Sequence, residues 1–299
     1  MPNSEESRRR RSIYLLPNAF TTANLFAGFY AVVQAMNGRF EMAAIAIFLA
    51  MVFDGMDGRV ARLTNTQSAF GEQYDSLSDM TSFGIAPALV MYEWALQDLG
   101  RWGWLAAFVY VVGAALRLAR FNTNIGVVDK RFFQGLPSPA AAALVAGFLW
   151  LVIDNKLMLA DQTISWLSFI FTVYAGVAMV TNAPFYSGKS FALGRSVPFW
   201  VILVLVGAFV FVSSNPPVVL FGLFVVYGLS GWFIMAWRWR RARQLTRKRQ
   251  HSSDHLDTAE APEPSFSASH TYQSPELGGL ADKPEADQAG KPRQSDQPL

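Results

Sequence analysis

The chain has 299 residues, 52% of them hydrophobic and 16% charged, with a formal net charge of +3. The apolar residues come in long blocks separated by short polar links, which excludes one large soluble core and points to several membrane crossings. There is no cysteine, so disulfides and thiolate metal sites are excluded.

Residues 1–12 form a polar segment with Arg8, Arg9, Arg10 and Arg11, suited to resting on anionic headgroups or to fixing orientation. Eight apolar stretches follow. They run near Pro17–Met36, Glu41–Leu63, Glu72–Leu96, Trp102–Phe121, Leu136–Ile153, Ile164–Val180, Val197–Ser213 and Val218–Trp237. Some are short for a bilayer, which implies tilt or packing among helices. The first block has the length of a span and no clean small-residue cleavage site, so a retained helix is expected. The membrane body is expected over residues 13–240 and a disordered, solvated tail over 241–299, where Ser, Pro, Glu, Asp and Gln dominate. The expected fold class is therefore all-α, an integral membrane protein of about eight transmembrane helices.

Basic residues sort by side. With eight spans, Arg8–Arg11, Arg59, Arg62, Arg117, Arg120, Lys130, Arg131, Lys189, Arg195 and the flank Arg238, Arg240, Arg241, Arg243, Arg247, Lys248 and Arg249 share one side. Only Arg39, Arg101 and Lys156 lie opposite. The positive-inside rule then predicts both termini on the cytoplasmic side.

Four aspartates interrupt the second and third apolar stretches: Asp54, Asp57, Asp75 and Asp79. An ionised Asp at the centre of a membrane helix costs roughly 2.5–3.5 kcal/mol, so four unpaired ones cost on the order of 10 kcal/mol. On a helix, Asp54, Asp57, Gly58, Ala61 and Arg62 fall on one stripe, and Asp75 and Asp79 share a face. The short link makes the two helices antiparallel neighbours, with both acidic pairs toward the cytoplasmic end. Carboxylates without soft ligands suit Mg²⁺ or Mn²⁺. Two such ions clamp the attacking and leaving oxygens of a phosphoryl transfer. Gly58 and Ala61 let a substrate approach the backbone, and Arg62 offers charge to a phosphate. The implied substrate is a diphosphate with its greasy end in lipid. The competing interpretation is internal Asp–Arg pairing with Gly and Ala as ordinary helix-packing residues.

The run from Asp54 to Asp79 resembles the signature of the CDP-alcohol phosphatidyltransferase family, D-x2-D-G-x2-A-R-x8-G-x3-D-x3-D. Asp54, Asp57, Gly58, Ala61, Arg62, Gly71, Asp75 and Asp79 match every fixed position. The resemblance covers the first six stretches and implies a six-helix core, with the last two helices an extension. It implies that the four aspartates hold two divalent cations, with Asp75 bridging, and that Asp79 is also the general base for the acceptor hydroxyl. It implies CDP-diacylglycerol contacts from Asn18, Thr21, Gly58, Ala61, Arg62, Ser68 and Gly71. Asn18 serves equally as a helix cap, and Ser68 as ordinary loop polarity.

Within the family, FGIAPA after Asp79, LRLARFN at Leu116–Asn122 and GLPSPAAA at Gly135–Ala142 resemble the bacterial membrane phosphatidylserine synthases. The resemblance implies transfer of a phosphatidyl group to L-serine with release of CMP, in a homodimer in a bacterial inner membrane, without a nucleic-acid partner. Arg117 and Arg120, one turn apart, suit the serine carboxylate; they equally fit the positive-inside rule or a lipid phosphate. Other acceptors (glycerol 3-phosphate, inositol phosphate, choline) keep the same chemistry. An ion-coupled transporter is the reading from another class, although its carboxylates usually lie near the midplane.

Overall fold

The computed structural model describes residues 4–64, 66, 68–123, 132–156, 158–186 and 199–259. Lys130, Arg131, Lys189, Arg195 and the tail from residue 260 lie outside these residues. Helices α1 (Ser4–Met36) and α2 (Phe40–Leu63) are followed by a third stretch in pieces. It comprises α3 (Ala69–Asp79), a π-helical segment Met80–Ile85, α4 (Ala86–Met91), a second π segment Tyr92–Leu96 and a 3₁₀ turn Gln97–Leu99. Then come α5 (Arg101–Thr123), α6 (Ser138–Asp154), α7 (Asp161–Val180), α8 (Phe199–Ser214) and α9 (Pro216–Ala259). Helix overlaps each of the eight predicted apolar blocks.

Three differences from the sequence expectation have physical reasons. α1 begins at Ser4, so helix runs back through the basic segment and encloses Pro17; Arg and Glu are good helix formers. Residues 241–259, expected to be disordered, are helical, again in a stretch rich in Arg, Lys and Gln. The described residues are mostly helical, as expected, with one short ribbon that was not. In it β1 (Phe132–Gln134) pairs antiparallel with β2 (Pro184–Tyr186), Phe133 opposite Phe185. Both strands are too short to show a period of two in the sequence.

Arg101–Thr123, Asp161–Val180 and Pro216–Arg241 are long and apolar enough to cross a membrane, and Ser138–Asp154 and Phe199–Ser214 are apolar but shorter. The first three stretches carry the polar and acidic residues, which lowers their hydropathy. Contacts divide the chain after Arg247 into two compact units. In the first, α1 packs along α2, α2 along α6, and α5 along α7.

Small residues allow these helices to approach closely. Ala31, Ala43, Ala44, Ala50, Ala141, Ala142 and Ala143 are fully buried. At the α5–α7 crossing a Cβ added to Gly113 would lie 2.3 Å from the Gly176 carbonyl oxygen. α1 meets the third stretch through a ladder of hydroxyls. Ser78 Oγ donates to the Thr21 carbonyl at 3.0 Å, and Ser82 Oγ to the Asn24 carbonyl at 2.9 Å. Between them Gly28 lets the backbones touch, since its Cβ would fall 2.6 Å from Ser82 Cα.

The irregular third stretch is held by a specific exchange. Pro87 has no N–H, so the Phe83 carbonyl loses its i→i−4 partner. Tyr110 Oη, fully buried on α5, donates to that carbonyl at 3.0 Å. A buried backbone acceptor is thus satisfied from a neighbouring helix.

Gly113→Ala is expected to lower the melting temperature in detergent, by an overpacking cost of about 1–3 kcal/mol. Gly222→Ala, with no atom within 4 Å of the added methyl, is expected to leave it unchanged. Thermal unfolding of the two purified variants checks this.

Candidate active site

α2 and α3 bring the aspartates together although both pack on α1 rather than along each other. One carboxylate oxygen from each of Asp54, Asp57 and Asp75 lies within 4.8 Å of the other two. Asp79, the last residue of α3, is close enough to Asp54 to interact with it, as Asp75 is to Asp57. The π-helical segment starts at the next residue, Met80; such departures from α geometry recur at functional sites.

α1 supplies the groups that hold these carboxylates. Thr21 Oγ1 donates to Asp57 Oδ2 at 3.0 Å, while Asp57 Oδ1 accepts from the Gly58 N–H. Asn24 Nδ2 donates to Asp79 Oδ1 at 3.1 Å. Thr21 and Asn24 are buried, 4% and 0% exposed. They stand where the Ser78–Ser82 ladder fixes α1, so the polar stripe of α1 is registered against the acidic one.

Asn18, Thr21, Gly58, Ala61, Ser68 and Gly71 line one cleft of about 540 Å³, counting its open mouth, together with Asp57 and Asp75. Of the residues expected to contact CDP-diacylglycerol, Arg62 is the one not on this wall. It is exposed, and its Nε donates to the Gly58 carbonyl at 2.8 Å. Gly58 has no atom within 4 Å of a would-be Cβ, which argues against a helix-packing role. At Gly71 a Cβ would stand 3.2 Å from Ser68 Oγ and 3.7 Å from Asn18 Oδ1, so its absence keeps the cleft open. Asn18 lies inside α1 and is not a cap. Ser68 is the N-cap of α3, its Oγ accepting from the Gly71 N–H at 3.0 Å.

Pro17, Thr66 and Glu72 complete the cleft, and none of them was expected from the sequence. Nor was Asn24. Its signal was available: Asn18, Thr21 and Asn24 recur every three residues along an apolar stretch, which places them on one helix face.

Arg117 and Arg120 diverge. Arg117 donates through Nη1 to Ser138 Oγ on α6 and directs its charge at Asp79 and Asp54. Arg120 Nη1 donates to Asn182 Oδ1 at 3.1 Å, away from the acidic cluster.

The donor set fits a divalent cation. It is all oxygen, which suits hard ions. Asp75 Oδ1 is buried and accepts no hydrogen bond, so one lone-pair set of the cluster is left for a ligand.

The family comparison agrees with this geometry. The model of the CDP-alcohol phosphatidyltransferase family matches residues 14–174, more than half of the chain. This chain belongs to that family. It is therefore a phosphotransferase enzyme, and the matched residues include α1 from residue 14 onward, α2, α3 and all four aspartates. Among curated relatives, the CDP-diacylglycerol–serine O-phosphatidyltransferase of Helicobacter pylori is 36% identical over 224 residues, 75% of this chain and 93% of the relative. The protein of the same name from Methanocaldococcus jannaschii is 33% identical over 183 residues, 60% of this chain and 79% of the relative. That from Mycobacterium leprae is 38% identical over 154 residues, 50% of this chain and 51% of the relative.

Mn²⁺ added to metal-free protein is expected to raise its melting temperature, by about 2.7 kcal/mol of stabilisation at a hundredfold excess over Kd. Asp75→Asn, which removes a charge from the cluster, is expected to abolish most of that shift. Thermal unfolding and the Mn²⁺ electron paramagnetic resonance signal report it without any turnover.

Proposed function

We propose that this chain transfers the phosphatidyl group of CDP-diacylglycerol to the hydroxyl of L-serine, giving phosphatidylserine and CMP. The observation that carries the reading is the convergence of Asp54, Asp57 and Asp75 within 4.8 Å, two of them, Asp57 and Asp75, on the wall of an open cleft. The names of the relatives, serine O-phosphatidyltransferases, support serine as acceptor.

In this reading Asp54, Asp57, Asp75 and Asp79 hold two divalent cations, Mg²⁺ or Mn²⁺. When bound, the cations neutralise the diphosphate and stabilise charge developing on the transferring group. Asn18, Thr21, Gly58, Ala61, Ser68 and Gly71 receive the CDP moiety. Arg62 joins them after giving up its bond to the Gly58 carbonyl. Asp79, oriented by Asn24, takes the proton of the serine hydroxyl. The serine oxygen forms its bond to the phosphorus that carries diacylglycerol, the bond from that phosphorus to the CMP oxygen breaks, and CMP leaves with the electron pair. Arg117 binds the serine carboxylate, and Arg120, tied to Asn182, serves orientation and the surface.

The proposed setting is a bacterial inner membrane crossed eight times, with both termini cytoplasmic. A basic segment (1–12), a catalytic body (13–240) and a tail (241–299) follow in order, the body being a six-helix core plus two helices. Arg241 stacks 4.2 Å from the Trp237 ring and Arg243 3.4 Å from that of Trp239, a pairing suited to the membrane–water boundary. A homodimer rests on the family likeness alone.

CMP release with serine as sole acceptor, with and without chelator, tests the reading. Serine-dependent release that the chelator abolishes is expected. Release only with glycerol 3-phosphate, inositol phosphate or choline would move the acceptor, and serine uptake into proteoliposomes without CMP release would overturn the enzyme assignment. Asp79→Asn is expected to lower kcat by about 10²–10⁴-fold, and Arg117→Ala to raise the serine KM more than the CDP-diacylglycerol KM.

A further inference from the structure

The family match ends within α7, and α8 and α9 lie beyond it. α9 nevertheless meets the β1–β2 ribbon along one stripe. Tyr227 and Gly231 are one turn apart, as are Gly228 and Trp232. Tyr227 Oη donates to the Tyr186 carbonyl at 3.2 Å, and its ring centroid lies 5.7 Å from that of Phe185. A Cβ added to Gly231 would fall 2.4 Å from the Phe185 ring. Phe185 is fully buried, so its ring rests on the bare α9 backbone with nowhere to swing. A second pair anchors α9 to α7: Tyr174 Oη donates to the Gly228 carbonyl at 2.9 Å, and Trp232 Nε1 donates to Tyr174 Oη at 3.2 Å.

The ribbon carries this placement toward the acidic cluster. Phe185 stands opposite Phe133. The chain then turns at Gly135, where φ is +81° and a Cβ would lie 2.2 Å from the Met179 carbonyl oxygen. The Gly135 N–H donates to the Ala183 carbonyl and the Leu136 N–H to the Ala178 carbonyl, each at 3.0 Å. Two residues on, Ser138 accepts from Arg117. The Tyr227 phenol oxygen also interacts electrostatically with Arg117.

We infer that Tyr227 and Gly231 of α9 position Arg117 for the acceptor, which makes α9 a supporting wall of the acceptor side. The inference rests on the acceptor role proposed for Arg117. Tyr227 and Gly231 are positioning residues, since neither touches the reacting atoms. Ser138 holds the Arg117 guanidinium, which interacts with the charges of Asp79 and Asp54. A displaced Ser138 would let it fall back on the carboxylates alone.

Steady-state kinetics of Tyr227→Phe test this, because the change keeps the ring on Phe185 and removes only the hydroxyl. The expected result is an acceptor KM raised about fivefold to tenfold, the scale of one hydrogen bond. The CDP-diacylglycerol KM and the melting temperature should stay near those of the parent chain. Gly231→Ala is expected to act in the same direction. In an Arg117→Lys background Tyr227→Phe is expected to add nothing further, as for residues acting through one group. A parallel rise of both KM values, an unchanged acceptor KM, or full additivity with Arg117→Lys overturns the inference. If Gly231→Ala fails to fold, Tyr227→Phe decides alone. Should CMP release need an acceptor other than serine, the serine reading falls, and the same comparison run with that acceptor still decides the role of Tyr227.

Discussion

A carboxylate removed from water is stable only where hydrogen bonds or cations replace the solvent it has lost. Four of them gathered between α2 and α3 make that requirement the organising constraint of this molecule. Thr21, Asn24 and the Gly58 N–H meet part of it. Asp75 Oδ1 shows the part that protein groups leave unmet. Aspartates this close repel one another when ionised, so the arrangement persists only because the helices carrying them are held by other contacts.

Those contacts are strict. The hydroxyls of Ser78 and Ser82 bond to carbonyls of α1, and Gly28 removes the side chain that would separate the two backbones. The same face of α1 thereby presents Thr21 to Asp57 and Asn24 to Asp79. Packing and polar satisfaction are one device here: a shift of α1 by a single turn would strand two buried donors and two carboxylates together. Tyr110 closes the far side by satisfying the carbonyl that Pro87 frees.

The helices and the acidic cluster were legible because both depend on local pattern. Apolar blocks reveal helices by length, and Asp54, Asp57, Asp75 and Asp79 reveal a shared face by spacing. Asn24 was equally periodic yet passed as one polar residue in an apolar stretch, since its value appears only once Asp79 stands opposite. The ribbon was illegible because Phe133 and Phe185 are far apart in the chain and each strand has three residues. Arg117 and Arg120 looked equivalent at one turn apart. Their partners are Ser138 on α6 and Asn182 in the link between α7 and β2, and no sequence period distinguishes them. The break of the third stretch at Met80 follows from Pro87 and its neighbours, yet a π turn has no simple sequence signature.

The pairing of β1 with β2 has a consequence for how the chain is made. Synthesis runs from the N-terminus, so segments become available in chain order. The aspartates of α2 and α3 are complete by residue 79, whereas Phe133 has no strand to join until residues 184–186 arrive. Phe185 in turn remains uncovered by backbone until Gly231 follows. The nascent chain therefore carries all four aspartates long before the opposite wall can close, and the packing of α9 on Phe185 is the last contact that the order of translation allows at this end of the molecule.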